Sequence, residues 1–177
     1  DSLLEAIESA GVEPDGRLFE LNSYENRVYQ IGLAGGGMSV VKFYRPGRWT
    51  DVQILEEHAF AAELVAADLI VSAPQIFDGS TLHHRGSLSF AVFPKLAGRA
   101  PELDGADSLE LLGRALGRLH AVGSAGRFAD RPSLSIERLG WTARDALLNS
   151  PVVDGVINEA LIDRYDEVSA ALLEKIE

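Results

Sequence analysis

Ser39-Val-Val-Lys-Phe-Tyr44 is a short run of β-branched and aromatic residues with one lysine, Lys42, in its interior. Side chains of these types suit a pleated, half-buried surface, so the run predicts a β-strand. A lysine inside a strand must reach solvent at the edge of the sheet or find a partner for its ammonium group. An isolated lysine of this kind is usually solvent-facing, so the neighbouring segments decide its interpretation.

The segments around this strand follow one another in a defined order. Residues 17–21 and 27–33 predict two preceding strands, and the turn at 34–37 contains three glycines that let the chain reverse. Downstream, the hydrophobic period changes from two to 3.6, which predicts a helix from residue 51 to about residue 68. Two strands, a lysine-bearing third strand and then a helix is the order found in the small lobe of kinases.

The rest of the chain extends this plan. Residues 88–93 predict an apolar strand, and residues 108–122 predict a helix that buries Leu109, Leu112, Leu116 and Leu119 on one face. Further helices are expected at 135–149 and from 153 to the end. The predicted fold is therefore α+β, with about five antiparallel strands and one long helix followed by the helical start of a large lobe. We expect residues 1–97 to form the nucleotide-binding lobe and residues 98–177 to form a linker and the beginning of the second lobe.

Composition limits the classes of partner. The chain has 177 residues, 46% of them hydrophobic, and a net charge of −11. This charge argues against binding to nucleic acid or to an anionic membrane surface, because both ligands favour basic patches. The sequence contains no cysteine and no apolar run of membrane-spanning length. These features indicate a soluble cytoplasmic protein.

A lysine–glutamate pair is the first candidate for chemistry. Phosphoryl transfer from ATP requires a fixed cation against the phosphates and a carboxylate that holds this cation in place. Lys42 precedes a helix that carries Glu56 and Glu57. Glu57 lies on the inward half of the helix and is the preferred partner, with Glu56 as the alternative. An ordinary solvated carboxylate is the competing interpretation.

The loop between the first two strands is a candidate phosphate-covering loop. It contains no glycine, but backbone N–H groups of a tight polar turn, with Ser23 and Asn26 beside them, can still bind phosphate oxygens. A plain polar hairpin turn explains the same residues equally well.

The segment after the last strand is a candidate adenine-binding hinge. Phe93 and Pro94 end the strand, Pro94 has a carbonyl but no N–H, and Leu96 or Lys95 would supply the donor. Val28 and Val40 would form the apolar roof over the base, although ordinary sheet core explains these valines as well.

Histidines do not form a metal-site pattern. His83 and His84 are adjacent, and neither His58 nor His120 has a ligand partner four residues later. We expect His120 to be a packed, hydrogen-bonded core residue.

Several longer strings closely resemble one bacterial family, the stress-response kinase A or RdoA-type serine/threonine kinases. This family lies in the aminoglycoside-phosphotransferase and choline-kinase-like branch of the kinase fold. The strings are Asn22-Ser-Tyr-Glu-Asn-Arg-Val-Tyr29, Val41-Lys-Phe-Tyr-Arg-Pro-Gly-Arg-Trp49, Gln53-Ile-Leu-Glu-Glu-His58, Phe90-Ala-Val-Phe-Pro94 and Gly113-Arg-x-Leu-Gly-Arg-x-His120.

The resemblance implies ATP and Mg²⁺ as cofactors and phosphoryl transfer to Ser or Thr hydroxyls of proteins in the cytoplasm. It implies that Lys42 holds the phosphates, that Glu57 holds Lys42, and that residues 94–96 contact adenine. The sequence departs from the family in one respect: the His-Gly-Asp catalytic loop and the acidic metal-binding motif are absent from these residues. We therefore expect an amino-terminal part of such a kinase, inactive alone, with its metal ligands in a missing carboxyl-terminal part.

Two other functions stay open at this point. The first is a kinase whose acceptor is a small hydroxylated molecule rather than a protein, since nothing in these residues identifies the acceptor site. A pseudokinase-type binding module is the second alternative, although such a module has no need of Lys42 and Glu57. If the chain is a fragment, apolar side chains such as Leu161, Ile162, Val168 and Leu172 would be exposed, and self-association would follow.

Overall fold

The structure is a computed structural model that describes residues 2–98, 100–102, 105–151, 153 and 156–176. The chain divides into two compact units, Asp1–Arg131 and Pro132–Glu177, which are described separately below. The predicted functional boundary near residue 97 differs in position from this division and stays a prediction. Among the described residues, no helix is both long enough and apolar enough to cross a membrane.

The first unit contains a mixed set of helices and strands, most of them close to the predicted positions. Its elements are α1 (Ser2–Glu8), β1 (Pro14–Leu21), β2 (Arg27–Leu33), β3 (Met38–Tyr44), α2 (Asp51–Ala66), β4 (His83–Arg85), β5 (Leu88–Pro94) and α3 (Ala106–Ser124).

The strands form one antiparallel sheet in the order β1-β2-β3-β5-β4. The lysine-bearing strand β3 is therefore central and is paired on both sides. This arrangement confirms the predicted α+β class with a five-stranded antiparallel sheet. It also answers the question raised by the sequence, because Lys42 lies on an interior strand of the sheet and not on an edge strand.

One face of the sheet packs against α1. Alternate side chains of β3, Val41 and Phe43, point to this face because neighbouring residues of a strand face opposite sides. They join Phe90 and Val92 of β5 in a core with almost no exposed surface. The remaining fully packed members of this core are Ala6, Ile7, Ala10, Val12 and Ile31.

The opposite face of the sheet packs against α2. Thr50 caps this helix through a capping box with Gln53, which fixes where the helix begins. Ile54, His58 and Leu64 are the buried residues of the helix, whereas Val65 is 46% exposed. On this side of the sheet Ile54 packs with Tyr44, Leu82 and Ala91.

The helix α3 forms as predicted, but the prediction that its leucine face is buried is wrong. Leu109, Leu112 and Leu116 are 51%, 38% and 47% exposed, and no described residue of the helix is fully buried. His120 is also exposed, so the expectation of a packed core histidine is wrong. Hydrophobic periodicity shows which residues share a helix face, but it does not show which part of the protein covers that face.

The second unit is helical. A π-helical segment (Glu137–Trp141) leads directly into α4 (Thr142–Leu148), and α5 (Glu159–Leu173) follows. Arg144 of α4 joins the two helices by pairing with Asp166 and by donating to Ser169 Oγ at 3.2 Å.

Most of the apolar residues that we expect to be exposed in this second unit are exposed. Leu161, Val168 and Leu172 are 61%, 38% and 55% exposed, and Ile162 is half-buried. Self-association through them stays a prediction.

We expect Phe90→Ala to destabilise the first unit by about 3–5 kcal/mol, because a fully buried ring that packs on Phe43 and His83 leaves a cavity when it is removed. Urea unfolding measures this loss. Phe19→Ala is the matched control, because Phe19 is a strand residue whose side chain is 52% exposed. Equal losses in the two variants would contradict the assignment of the core.

Candidate functional site

A cleft of about 460 Å³ opens on the α2 side of the sheet. Its walls come from the strands, from α2 and from the segment that follows β5. Most of the predicted site residues line it. The lining residues are Leu21, Val28, Gln30, Val40, Lys42, Glu57, Ser72, Phe93, Pro94, Lys95 and Leu96.

The register of the sheet explains why these side chains converge. Directly opposite residues on antiparallel strands share a face. Lys42 is opposite Val28 on β2 and Ala91 on β5. Val40 is likewise opposite Phe93. The two predicted roof residues, the lysine and the end of β5 therefore occupy one face of the sheet.

Lys42 forms an ion pair with Glu57. The distance from Lys42 Nζ to Glu57 Oε1 is 3.0 Å, and the side chains are 23% and 36% exposed. The ammonium also lies 4.7 Å from the centre of the Tyr44 ring, which adds a cation–π contact from the next residue on the same face. A cation fixed by a carboxylate and an aromatic ring, at the side of an open cleft, is suited to binding an anionic group.

The choice between the two adjacent glutamates is made by the geometry of α2. Glu57 reaches Lys42, whereas the Glu56 carboxylate accepts hydrogen bonds from backbone N–H groups of residues 129–131. Burial acts to raise the pKa of Glu56, but these three backbone hydrogen bonds outweigh it and hold the pKa below its ordinary value. Glu56 therefore anchors the segment that follows α3.

Arg131, at the end of this anchored segment, contacts the other oxygen of the Glu57 carboxylate. Its Nη2 donates to Glu57 Oε2, and its Nε donates to the backbone carbonyl of Gln53 at 3.1 Å. Its guanidinium lies 4.4 Å from the centre of the Trp49 ring. Glu57 is thus shared between two cations, one from the sheet and one from the segment after α3.

The loop between β1 and β2 is held by the connection between β3 and α2. Trp49 Nε1 donates to Glu25 Oε1 at 2.9 Å, and the backbone N–H of Arg45 donates to Asn26 Oδ1 at 3.2 Å. The hydrogen bond from Trp49, together with Arg48, lowers the pKa of Glu25 below its ordinary value. Ser23 and Asn26 do not line the cleft, so their proposed contact with phosphate stays a prediction.

The predicted hinge forms another wall of the cleft. Pro94 is the last residue of β5, and its carbonyl accepts a hydrogen bond from Ser72 Oγ at 3.0 Å. Leu96 follows in an irregular segment and is 47% exposed. The hinge is therefore placed beside Val40 and Phe93, as the prediction requires, while its contact with a base stays a prediction.

A buried hydrogen-bonded chain supports this side of the sheet. His58 Nε2 and Tyr44 Oη are 2.7 Å apart, and His58 Nδ1 is 2.8 Å from Thr81 Oγ1. Burial lowers the pKa of His58 from 6.5 to about 4, against the opposing effect of the Glu57 carboxylate. Burial also raises the pKa of Tyr44. His58 is therefore neutral at physiological pH and serves as a structural support.

Sequence reasoning missed four residues that contribute to this site. Arg131 gave no local signal, because its partner Glu57 lies 74 residues earlier in the chain. Trp49 and Glu25 form their hydrogen bond across 24 positions of the chain, which no local pattern indicates. Ser72 lies in an irregular segment with no recognisable pattern. Among the described ranges, no group of three or more His, Asp or Glu side chains is arranged to hold a metal ion.

Comparisons with known proteins point to one family. A family model described as the phosphotransferase enzyme family matches residues 18–176. Stress response kinase A from Escherichia coli (strain K12) is 40% identical over 172 residues, which cover 97% of this chain and 52% of that relative. Serine/threonine protein kinase RdoA from Salmonella typhimurium (strain LT2) is 37% identical over 174 residues, covering 98% and 53%. The chain spans about half the length of these curated relatives.

A solved structure shares the fold. The amicoumacin kinase hAmiN, in complex with AMP-PNP, Ca²⁺ and Ami, matches with a TM-score of 0.70 and 19% sequence identity. The match covers 97% of this chain and 53% of that chain. This likeness agrees with the five-stranded antiparallel sheet and helices described above.

We expect His58→Gln to reduce the dependence of stability on pH between about 4 and 6.5. Histidine in the unfolded chain takes up a proton near pH 6.5, but His58 in the folded protein does so only near pH 4. Acidification through this interval therefore favours unfolding, and the stability that neutral His58 provides is lost as the pH falls. Glutamine cannot take up the proton, so the free energy of unfolding should vary less with pH.

Urea unfolding at a series of pH values measures this dependence. His120→Gln is the control, because it makes the same replacement at an exposed histidine. An unchanged slope in His58→Gln would contradict the neutral buried state of this histidine.

Proposed function

The chain belongs to the phosphotransferase enzyme family, and we propose that it is the nucleotide-binding part of an ATP-dependent kinase. The observation that carries this proposal is the Lys42–Glu57 ion pair at 3.0 Å beside a cleft with apolar walls. Such a pair supplies a fixed cation for phosphate oxygens, and the apolar walls suit a flat heterocyclic base.

Several of the residues that line the cleft have a proposed task. Lys42 binds phosphate oxygens, and Glu57 keeps its ammonium directed into the cleft. Val28, Val40 and Phe93 enclose the adenine. The hinge at 94–96 supplies the polar contacts to the base, with the Pro94 carbonyl as acceptor and the Leu96 N–H as donor. Because proline has no N–H, the donor must come from a residue after it.

We propose that the whole protein uses the magnesium ion that accompanies ATP in kinases. In the part of the chain that the structure describes, acidic side chains do not gather into a metal-binding group. The described residues therefore bind the nucleotide through Lys42 and the cleft walls, and we assign them no metal ligand.

We propose that the acceptor of the whole protein is a Ser or Thr hydroxyl of a protein substrate. Support comes from the relative named a serine/threonine protein kinase, at 37% identity. A cytoplasmic location accompanies this proposal, because the donor nucleotide is ATP. The net charge of −11 supports a partner other than nucleic acid.

A small-molecule kinase is the second candidate function. The observation that favours it is the fold shared with a kinase whose structure contains AMP-PNP and Ami. The two candidates differ in the acceptor and not in the use of the cleft.

Binding of ATP to this chain should depend on Lys42. A ligand at about a hundred times its dissociation constant adds about 2.7 kcal/mol to the free energy of unfolding, which raises the melting temperature. We expect this stabilisation by ATP in the wild-type chain and little or none in Lys42→Met. Calorimetric titration gives the dissociation constants directly.

Lys175→Met is the matched control, because it removes an equal charge from an exposed residue of the second unit. Equal ATP binding by Lys42→Met and the wild type would contradict the proposed site. Absence of ATP binding in the wild type would remove the nucleotide proposal and favour a pseudokinase-type scaffold.

The acceptor proposal requires the whole protein. Incubation with ATP labelled in the γ-phosphate should transfer label to protein Ser or Thr, including the kinase itself, and phosphoamino-acid analysis identifies the residue type. Label that appears only in an added hydroxylated aminoglycoside would contradict the protein-kinase proposal and support the small-molecule alternative.

A further inference from the structure

We propose that Arg131 is a positioning residue, which fixes the Glu57 carboxylate so that its other oxygen stays paired with Lys42. This inference rests on the proposed function for its effect on nucleotide binding, but the geometric claim can be tested without a nucleotide. No sequence pattern indicated this role.

Arg131 is held from several directions. Its Nε donates to the Gln53 carbonyl at 3.1 Å, its backbone N–H donates to Glu56 Oε2 at 2.7 Å, and its guanidinium lies on the Trp49 ring. Its side chain is 23% exposed. With the backbone and the side chain both fixed on α2, the free end of the guanidinium has a defined position beside Glu57.

The contacts require arginine and not merely a positive charge. A guanidinium is planar and donates in several directions at once, so it can contact the carbonyl of Gln53 and the carboxylate of Glu57 while stacking on Trp49. A lysine ammonium in the same place would keep the charge but lose the stacking and the second hydrogen bond.

The effect on Lys42 passes through the carboxylate. One oxygen of Glu57 accepts a hydrogen bond from Lys42 and the other accepts one from Arg131. The carboxylate therefore cannot rotate without breaking a charged hydrogen bond. Glu57 is 36% exposed, and a partly exposed ion pair with one free oxygen gains little energy and is easily replaced by water. Arg131 removes this freedom.

The same arrangement reaches the loop between β1 and β2. Trp49 stacks under Arg131 on one side and donates through its ring N–H to Glu25 in that loop. Glu56 holds the backbone of residues 129–131, as described above. The segment after α3, the start of α2 and the proposed phosphate-covering loop therefore share one connected set of contacts centred on Arg131 and Trp49.

The functional test compares ATP with adenosine, because only ATP carries the phosphates that Lys42 contacts in the proposal. We expect Arg131→Met to weaken ATP binding by roughly tenfold, while adenosine binding changes by less than about twofold. Arg131→Lys should lose less than Arg131→Met. Arg85→Met is the matched control, since Arg85 is an exposed arginine on strand β4 and should leave both affinities unchanged.

A different outcome would overturn the proposal. If Arg131→Met weakens ATP and adenosine binding equally, the residue supports the fold in general and does not position Lys42. If Arg131→Met leaves ATP binding unchanged, Glu57 does not need this partner.

A second measurement needs no nucleotide. The urea midpoints of Lys42→Met, Arg131→Met and the double variant form a cycle, and coupling through Glu57 predicts that the shift in the double variant differs from the sum of the single shifts. Repeating the cycle in a Glu57→Gln background should reduce this difference, because the shared carboxylate charge is then absent. Additive shifts in both backgrounds would overturn the positioning role.

The two measurements separate the possible failures. If the cycle shows coupling but the wild-type chain binds no ATP, the proposed function fails and the positioning role of Arg131 stands. If the wild type binds ATP through Lys42 but the cycle is additive, the positioning role fails and the proposed function stands.

Discussion

The ion pair between Lys42 and Glu57 is the interaction on which the rest of this structure depends. A lysine on an interior strand is costly unless its ammonium is paired, and the pair here joins the centre of the sheet to α2. Its position requires that β3 be central, that α2 begin at a fixed residue, and that the second glutamate be occupied elsewhere. The structure meets each of these conditions with a separate set of contacts.

Those contacts divide between the two faces of the sheet. On one face, Val41 and Phe43 are buried against α1 and anchor the strand that carries the lysine. On the other face, Tyr44 and Ile54 connect the same strand to α2. Because neighbouring strand residues point in opposite directions, the anchoring of one face leaves Lys42 on the other, directed toward the cleft. A hydrophobic core and a polar site are thus produced by the same alternation.

The sequence predicts many of these elements and contacts, but not all of them. Period-two runs and glycine turns located the strands, and the change of period located α2, because these patterns are local. Glu56 and Glu57 were hard to separate, since adjacent helix positions differ by 100° and only the packing of α2 sets which one faces the sheet. The role of Arg131 could not be predicted from the sequence, because its contact with Glu57 joins residues 74 positions apart and depends on the path of the chain after α3. The exposed leucines of α3 show the same limit. Periodicity identifies the residues that share a helix face, but it does not show whether another part of the protein packs on that face.

The most direct test of the central claim is chemical labelling with an acyl phosphate of ATP, which transfers its acyl group to a lysine close to the bound phosphates. The chain offers Lys42, Lys95 and Lys175 as targets, and mass spectrometry of peptides distinguishes them. We expect that Lys42 is labelled and that excess ATP prevents this labelling. Labelling that is as strong at Lys175 as at Lys42, or that excess ATP does not reduce, would contradict a phosphate-binding role for the lysine of the central strand.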